Sequence, residues 1–345
     1  MLSDIKEKKK LGVSFLLIFV AMVVATKGYP IYQQSANYHE TRILFDTEVY
    51  IEAHGYHAKE AVQEALSLMA KVSDQLNMYS TTSEVSLINQ AAGQHPVVVS
   101  SLTFRAIKKA VEVARMTDGA FDPAIGPLTL LWGIGADGKH NPIPNERQVK
   151  ETLKLVDYQN IIFNQYQYSI FLSEANMRLD LGAIAKGYAV GQAVEVLKQN
   201  NIHSALVSAG GNIYALGDKS QGKPWRIGIR DPEQKDQIIG YVDLVNQGID
   251  TSGDYEQFFT NDEKKYSHVI NPYTGYPVSK TLESVVLSSD SALADALSTG
   301  ISTMDAQQGL KLINNIQGTE GMVIEQDSQR KATLGFKRAF KEAKQ

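Results

Sequence analysis

A strand that passes through a glycine straight into a helix leaves backbone N–H groups unpaired at the join, beside the positive end of the helix dipole. The stretch Leu179-Asp180-Leu181-Gly182-Ala183-Ile184-Ala185-Lys186-Gly187-Tyr188-Ala189 predicts such a join, a short strand that turns at Gly182. From there Ala183, Ile184, Gly187, Tyr188, Val190, Val194 and Leu197 recur at helical spacing to about Asn200. The place suits a phosphate, and Asp180 and Lys186 add one group of each charge to it. Most such junctions bind nothing, so the weight of this one depends on what the rest of the chain brings to it.

At 345 residues, with 43% hydrophobic and 21% charged side chains, the chain can bury a large core and is not globally disordered. Its formal net charge is −4, and residues 1–27 hold five lysines against Asp4 and Glu7, so the remainder is the more acidic part. No long basic run follows the start, and a nucleic-acid partner is not expected. The absence of cysteine removes disulfides, thiolate metal sites, a thiol nucleophile and a lipid-modified N-terminal Cys.

Lys6, Lys8, Lys9 and Lys10 precede a continuous apolar run from Leu11 to Ala25. A basic flank before an apolar segment is the pattern of an export signal, with the positive charge held inside. Residues 1–27 are therefore expected to be a signal or membrane anchor, uncleaved or slowly cleaved, and Val23-Val24-Ala25 offers a small-residue cleavage site. Residues 28–40 read as a polar spacer and 41–340 as the working domain. This arrangement places the protein at the cell membrane with its catalytic domain on the extracytoplasmic side.

In the body, Ile43 to Ala53 reads as a strand and Ala58 to Leu76 as an amphipathic helix. A polar turn from Asn77 leads to a short helix, with Ser83 and Glu84 as capping residues. Ser101 to Met116 is a further amphipathic helix, ended by Thr117-Asp118-Gly119. Ala120 to Leu128 is too rich in Pro and Gly for a regular element, and an ordered loop carrying Phe121 and Asp122 is more often functional than core. Glu146 to Leu155 predicts a helix, and Ile161 to Leu172 one or two strands. Ala205 to Tyr214 reads as two strands around Gly210-Gly211-Asn212, whose paired glycines allow either a close ligand or a tight turn. Strands follow at 224–231, 238–245, 248–252, 266–270 and 284–288, then helices at 291–303 and 306–313 and two strands near 321–335. Hairpins with intervening helices predict an α+β fold of mixed, mainly antiparallel sheets with packed helices, not a doubly wound parallel sheet.

The helix at 291–303 puts Asp295 and Thr299 one turn apart on one face. A carboxylate and a hydroxyl are hard oxygen ligands suited to Mg²⁺, which keeps positions for water and a substrate phosphate; the same pair also fits a plain polar face with Thr299 bonded back to its own helix. His268, at a strand end before a Pro/Thr/Gly loop, is a proton acceptor if a reaction centre lies near it. No multi-His metal motif, Gly-x-Ser-x-Gly elbow, Walker loop or dinucleotide fingerprint is present.

Taken in order, Gly119-Ala120-Phe121-Asp122-Pro123, the Asp180–Ala189 stretch, Gly210-Gly211-Asn212, Thr251-Ser252-Gly253-Asp254-Tyr255, His268-Val269-Ile270-Asn271-Pro272-Tyr273-Thr274-Gly275-Tyr276-Pro277 and Ala294-Asp295-Ala296-Leu297-Ser298-Thr299 closely resemble the ApbE family, the FAD:protein FMN transferases. The resemblance covers roughly residues 40–330. It implies an enzyme that binds FAD with Mg²⁺ and transfers FMN to a Thr hydroxyl of an acceptor protein, releasing AMP. By match to the family's motifs, the metal ligands are the Ala183 carbonyl and the side chains of Asp295 and Thr299. FAD contacts are implied for Phe45, Tyr79, Ala120, Phe121, Asp122, Asp180, Lys186, Val269 and Ser298, and His268 matches the catalytic His. Two departures stand out. The family's Met-Gly-Thr reads here as Phe45-Asp46-Thr47, and the lipid-anchoring Cys of many members is missing, which leaves attachment to the apolar N-terminal segment. The competing readings are hydrolysis of FAD to FMN and AMP at the same site, and a surface flavin-binding protein without turnover.

Overall fold

The computed structural model describes residues 37–134, 141–219, 222–234, 236–253, 258–261 and 264–343. Two strands, Asn37–Leu44 (β1) and Thr47–His54 (β2), form an edge hairpin that turns at Phe45-Asp46, with φ of 54° and 56°. Positive φ at both central residues matches the twist of the paired strands. The single strand expected over 43–53 is thus broken by a turn that lacks the usual Asn-Gly signal. β1 also begins inside the stretch 28–40 read as a spacer. The expected membrane segment, 1–27, lies outside the described residues; among these, no helix is long and apolar enough to cross a membrane.

The chain continues through Ala58–Leu76 (α1), Glu84–Gln90 (α2), Val97–Val98 (β3), Ser101–Met116 (α3), Gly126–Trp132 (α4), Glu146–Leu153 (α5), Ile161–Asn164 (β4) and Ser169–Leu172 (β5). Next come Gly182–Gln199 (α6), Ser204–Ala209 (β6), Asn212–Leu216 (β7), Trp225–Arg230 (β8), Ile238–Leu244 (β9), Gln247–Gly253 (β10), Phe258–Asn261 (β11) and Lys264–Ser267 (β12). The last third holds Thr281–Ser288 (β13), Ser291–Ser302 (α7), Ala306–Asn315 (α8), Glu320–Glu325 (β14), Arg330–Ala332 (β15), Leu334–Ala339 (α9) and Phe340–Glu342 (β16).

Eight strands form the main sheet in the order β1-β2-β6-β7-β10-β13-β14-β15, antiparallel at every pairing. Side chains alternate across a strand, so its two faces carry two cores. On one face Val49, Ile51, Val207 and Val286 meet Leu66, Met69, Ile107, Ile184, Leu197, Leu297 and Ile301 of α1, α3, α6 and α7. On the other, Ile249, Val285, Leu287, Met322 and Ile324 meet Trp225, Ile227, Val242 and Leu244 of a second sheet, β16-β9-β8, together with Phe336. A third cluster of Leu128, Trp132, Val149 and Ile270 pins α4 and α5 to the segment after β12. The α+β architecture with antiparallel sheets follows the expectation.

The expected strand at 179–181 is not one. Leu179 has a side chain in place of a neighbouring strand: its N–H donates to Asn89 Oδ1 (2.7 Å) and its carbonyl accepts from Asn89 Nδ2 (3.0 Å). Nor is Ala120–Leu128 irregular throughout, because α4 starts at Gly126 with Pro127 in its first turn, where a missing N–H costs nothing. β12 stops at Ser267, short of the expected Ile270.

Candidate active site

Helices α6 and α7 touch backbone to side chain at Gly187. A Cβ there would stand 2.3 Å from the Ser291 carbonyl oxygen and 2.6 Å from Asp295 Cβ, so only glycine permits the contact. The Gly187 N–H donates to Asp295 Oδ2 over 2.7 Å. In a regular helix that N–H is the partner of the Ala183 carbonyl four residues back. Farther along α6, Gly191 borders the same cleft as Ser291 and Ala292 at the start of α7, so the two helices run antiparallel. Ala183, one turn back on α6, and Thr299, one turn on along α7, therefore lie toward the same end of the crossing as Asp295.

Asp295 is only 3% exposed. Burial pushes its carboxyl up from the usual range, while the Lys186 charge, the Gly187 N–H and the Asn212 side chain favour the ionised form. Among the described residues no group of three or more His, Cys, Asp or Glu could hold a metal. One carboxylate, one hydroxyl and a backbone carbonyl fit a hard cation that keeps water and phosphate in its shell.

The α6 entrance is less open than the bare junction suggested. Asp180 turns back on the start of the helix, with Oδ1 accepting from the Gly182 N–H and Oδ2 from Thr129 Oγ1, both over 2.9 Å. The Ile184 and Ala185 N–H groups both reach the Leu181 carbonyl. Tyr79 stands beside this carboxylate: burial first and the Asp180 charge second raise its phenol above the ordinary value, and its hydroxyl donates to the Ile134 carbonyl over 2.5 Å.

The loop after α3 closes against both helices. The Phe121 N–H donates to Thr117 Oγ1 (3.1 Å), the Ala120 carbonyl accepts from Thr303 Oγ1 (3.0 Å), and the Pro123 carbonyl accepts from the Asp180 N–H (2.9 Å). Asp122 holds the loop from inside, accepting from the Ala124 N–H (2.7 Å) and the Tyr158 N–H (3.0 Å). Its carboxyl is pushed up to about 7 by burial, against the pull of those two N–H groups.

His268, half-buried, follows β12, and Val269 is buried behind it with its carbonyl accepting from the Val278 N–H. The loop beyond them is stapled to the same wall. Asn271 Nδ2 donates to the Thr303 carbonyl (2.8 Å), Tyr273 Oη to the Asp118 carbonyl (2.7 Å) and Trp132 Nε1 to the Gly275 carbonyl (2.8 Å).

Two more of the implied flavin contacts are Ser298 and Phe45. Ser298 is fully buried and its hydroxyl faces the sheet, donating to Asp250 Oδ2 with the Asp295 carbonyl also near at 2.8 Å. Phe45 packs on the large core, and its N–H donates to Ser73 Oγ. Its hairpin also reaches the Gly210 turn, where Thr47 Oγ1 would lie 3.4 Å from a Cβ on Gly210. Sequence reasoning missed Asn212, Asp250 and Thr129. An Asp on the inner face of a strand was the available signal for Asp250, and the Gly-Gly-Asn turn was the signal for Asn212.

The sequence profile of the ApbE family matches residues 45–323. The chain belongs to the ApbE family. The FAD:protein FMN transferase of Klebsiella pneumoniae (strain 342) is 32% identical over 289 residues, 83% of this chain and 89% of that protein. The protein of the same description from Treponema pallidum (strain Nichols) is 32% identical over 310 residues, 85% of this chain and 84% of its own. Among solved ApbE structures, the Thermotoga maritima protein superposes with a TM-score of 0.83 at 29% identity, covering 89% of this chain and all of that one. The Vibrio cholerae flavin transferase ApbE reaches 0.78 at 27% identity, over 88% and 99% of the two chains.

Proposed function

We infer that this ApbE-family chain is an FAD:protein FMN transferase that works with Mg²⁺ on a Thr hydroxyl of an acceptor protein. Relatives of that description along nearly the whole domain support the reading. The observation in this molecule that supports it is the Gly187–Asp295 contact, which ties the two helices carrying the Ala183 carbonyl and Thr299 together at a buried carboxylate that feels the Lys186 charge.

In the reaction the acceptor Thr oxygen bonds to the phosphorus of the FMN half, the pyrophosphate P–O bond breaks, and AMP leaves with the bonding pair. Phosphoryl transfer is mostly positioning and charge neutralisation. Mg²⁺ held by Asp295, Thr299 and the Ala183 carbonyl supplies part of that neutralisation when bound. Lys186 holds phosphate oxygens, Tyr79 and the Ala120–Asp122 loop border the flavin, and His268 accepts the Thr proton. The lysine cluster and the apolar run at 11–25 support a domain held outside the cytoplasmic membrane.

The test is mass spectrometry of exported proteins co-expressed with and without this chain, looking for a Thr-linked FMN adduct. AMP release from FAD with no adduct on any protein would instead mark a pyrophosphatase. Tight FAD retention with no AMP would mark a flavin-binding protein.

A further inference from the structure

Asn212 opens β7 directly after the Gly210-Gly211 turn, and it is 3% exposed. Its side-chain amide lies against the Asp295 carboxylate. The contact is a hydrogen bond to Asp295, and of the two ends of an amide only the NH₂ group donates, so that end of Asn212 faces the carboxylate oxygens. The opposite face of the amide is then Oδ1, a buried acceptor with no hydrogen-bond partner among the described residues. Buried polar atoms in folded proteins are ordinarily satisfied, and an exception points to a missing water or ion.

The turn that delivers Asn212 is itself tightly located. The Gly210 N–H donates to the Glu48 carbonyl (3.2 Å), and Gly210 has φ of 62° with Thr47 Oγ1 3.4 Å from where its Cβ would be. The amide is thus aimed by a rigid turn between two strands, not by a mobile loop.

Resting on the proposed cation site, we propose that Asn212 is a positioning residue for that site: its NH₂ group holds the Asp295 carboxylate in place and its Oδ1 accepts from water in the cation's hydration shell. Mg²⁺ gives up its waters reluctantly, and those waters are O–H donors that a buried acceptor can use. Residues that orient a ligand in this way typically govern metal affinity by 10- to 100-fold (roughly).

The experiment measures Mn²⁺ binding to the full chain by titration calorimetry and by electron paramagnetic resonance, without FAD or acceptor. Asn212→Ala is expected to raise the Mn²⁺ dissociation constant about tenfold or more. It should raise the Mg²⁺ concentration for half-maximal AMP release by a similar factor and change kcat at saturating Mg²⁺ less than about threefold. Asn212→Ser, which keeps a small polar group, is expected to fall between; it also serves as the readout where the Ala variant folds poorly by circular dichroism. Unchanged Mn²⁺ affinity in both variants would overturn the assignment, as would a kcat loss with the Mg²⁺ dependence unmoved, or a parent chain that binds no Mn²⁺. Because the binding is read without flavin, failure of the transferase reading leaves this comparison intact.

Discussion

The backbone N–H of Gly187 donates to Asp295 Oδ2 over 2.7 Å, so one helix of this chain reads the position of another through a group that no side-chain substitution removes. The bond requires the close approach that only glycine allows. It holds the Asp295 carboxylate of the candidate cation site.

Gly187→Ala therefore tests packing and site together. The new Cβ would overlap Ser291 backbone oxygen and Asp295 Cβ, and neither atom is the free end of a flexible side chain. The helices must separate, with an expected loss of about 1–3 kcal/mol of stability in urea denaturation, and AMP release should fall with it. A variant with unchanged midpoint and activity would show that the helices pack less tightly than described.

Asp295→Asn keeps the shape of the side chain and an oxygen for the Gly187 N–H, but removes the charge. Folding should be little affected, because a buried carboxylate gives way to a neutral amide. Mg²⁺-dependent turnover is expected to drop on the order of 100-fold or more, and added chelator should have no further effect. Normal activity of this variant in chelator would place the metal elsewhere.

How much of this was legible in the sequence depended on whether a residue's partner was local. Helices α1 and α3 were readable to their ends, because their apolar faces repeat at 3.6 residues, and α3 is also capped by the adjoining Ser100 side chain. Leu179–Leu181 read as a strand, but the Leu179 N–H and carbonyl are both satisfied by Asn89, ninety residues away, which no periodicity reveals. The ordered motifs named Asp295 and Ser298 together, yet only the fold shows that Ser298 turns its hydroxyl into the sheet toward Asp250. Gly187 read as one more small residue on an apolar face; its role depends on Ser291 and Asp295, which arrive a hundred residues later.

Asp122 predicts a pH dependence. Its carboxyl in the folded chain holds its proton up to about 7, against about 3.9 for an unfolded Asp. Between those values the folded state binds more protons, so this group's contribution makes stability fall as pH rises from about 4 to about 7, by up to about 1.4 kcal/mol per pH unit. Asp122→Asn, which also gives up one acceptor for the Ala124 and Tyr158 N–H groups, should be less stable at pH 4 and show a flatter profile. Urea midpoints at pH 4, 5.5 and 7 measure the slope, and parallel profiles for the two proteins would rule Asp122 out as its source.

His268 is the remaining chemical question. It stands between the end of β12 and a loop stapled to Thr303, Asp118 and Trp132, on the side of the molecule where α7 and the Gly119–Asp122 loop meet. A positioned general base is worth roughly 10²- to 10⁴-fold. His268→Ala is therefore expected to slow transfer of FMN to an acceptor domain by that range. Binding of Mn²⁺ and retention of FAD should stay close to those of the parent. The readout is flavin fluorescence on the acceptor after gel separation, followed over time from pH 5 to pH 9. Undiminished flavinylation would remove His268 from the chemistry and leave proton removal to the acceptor's own side chains.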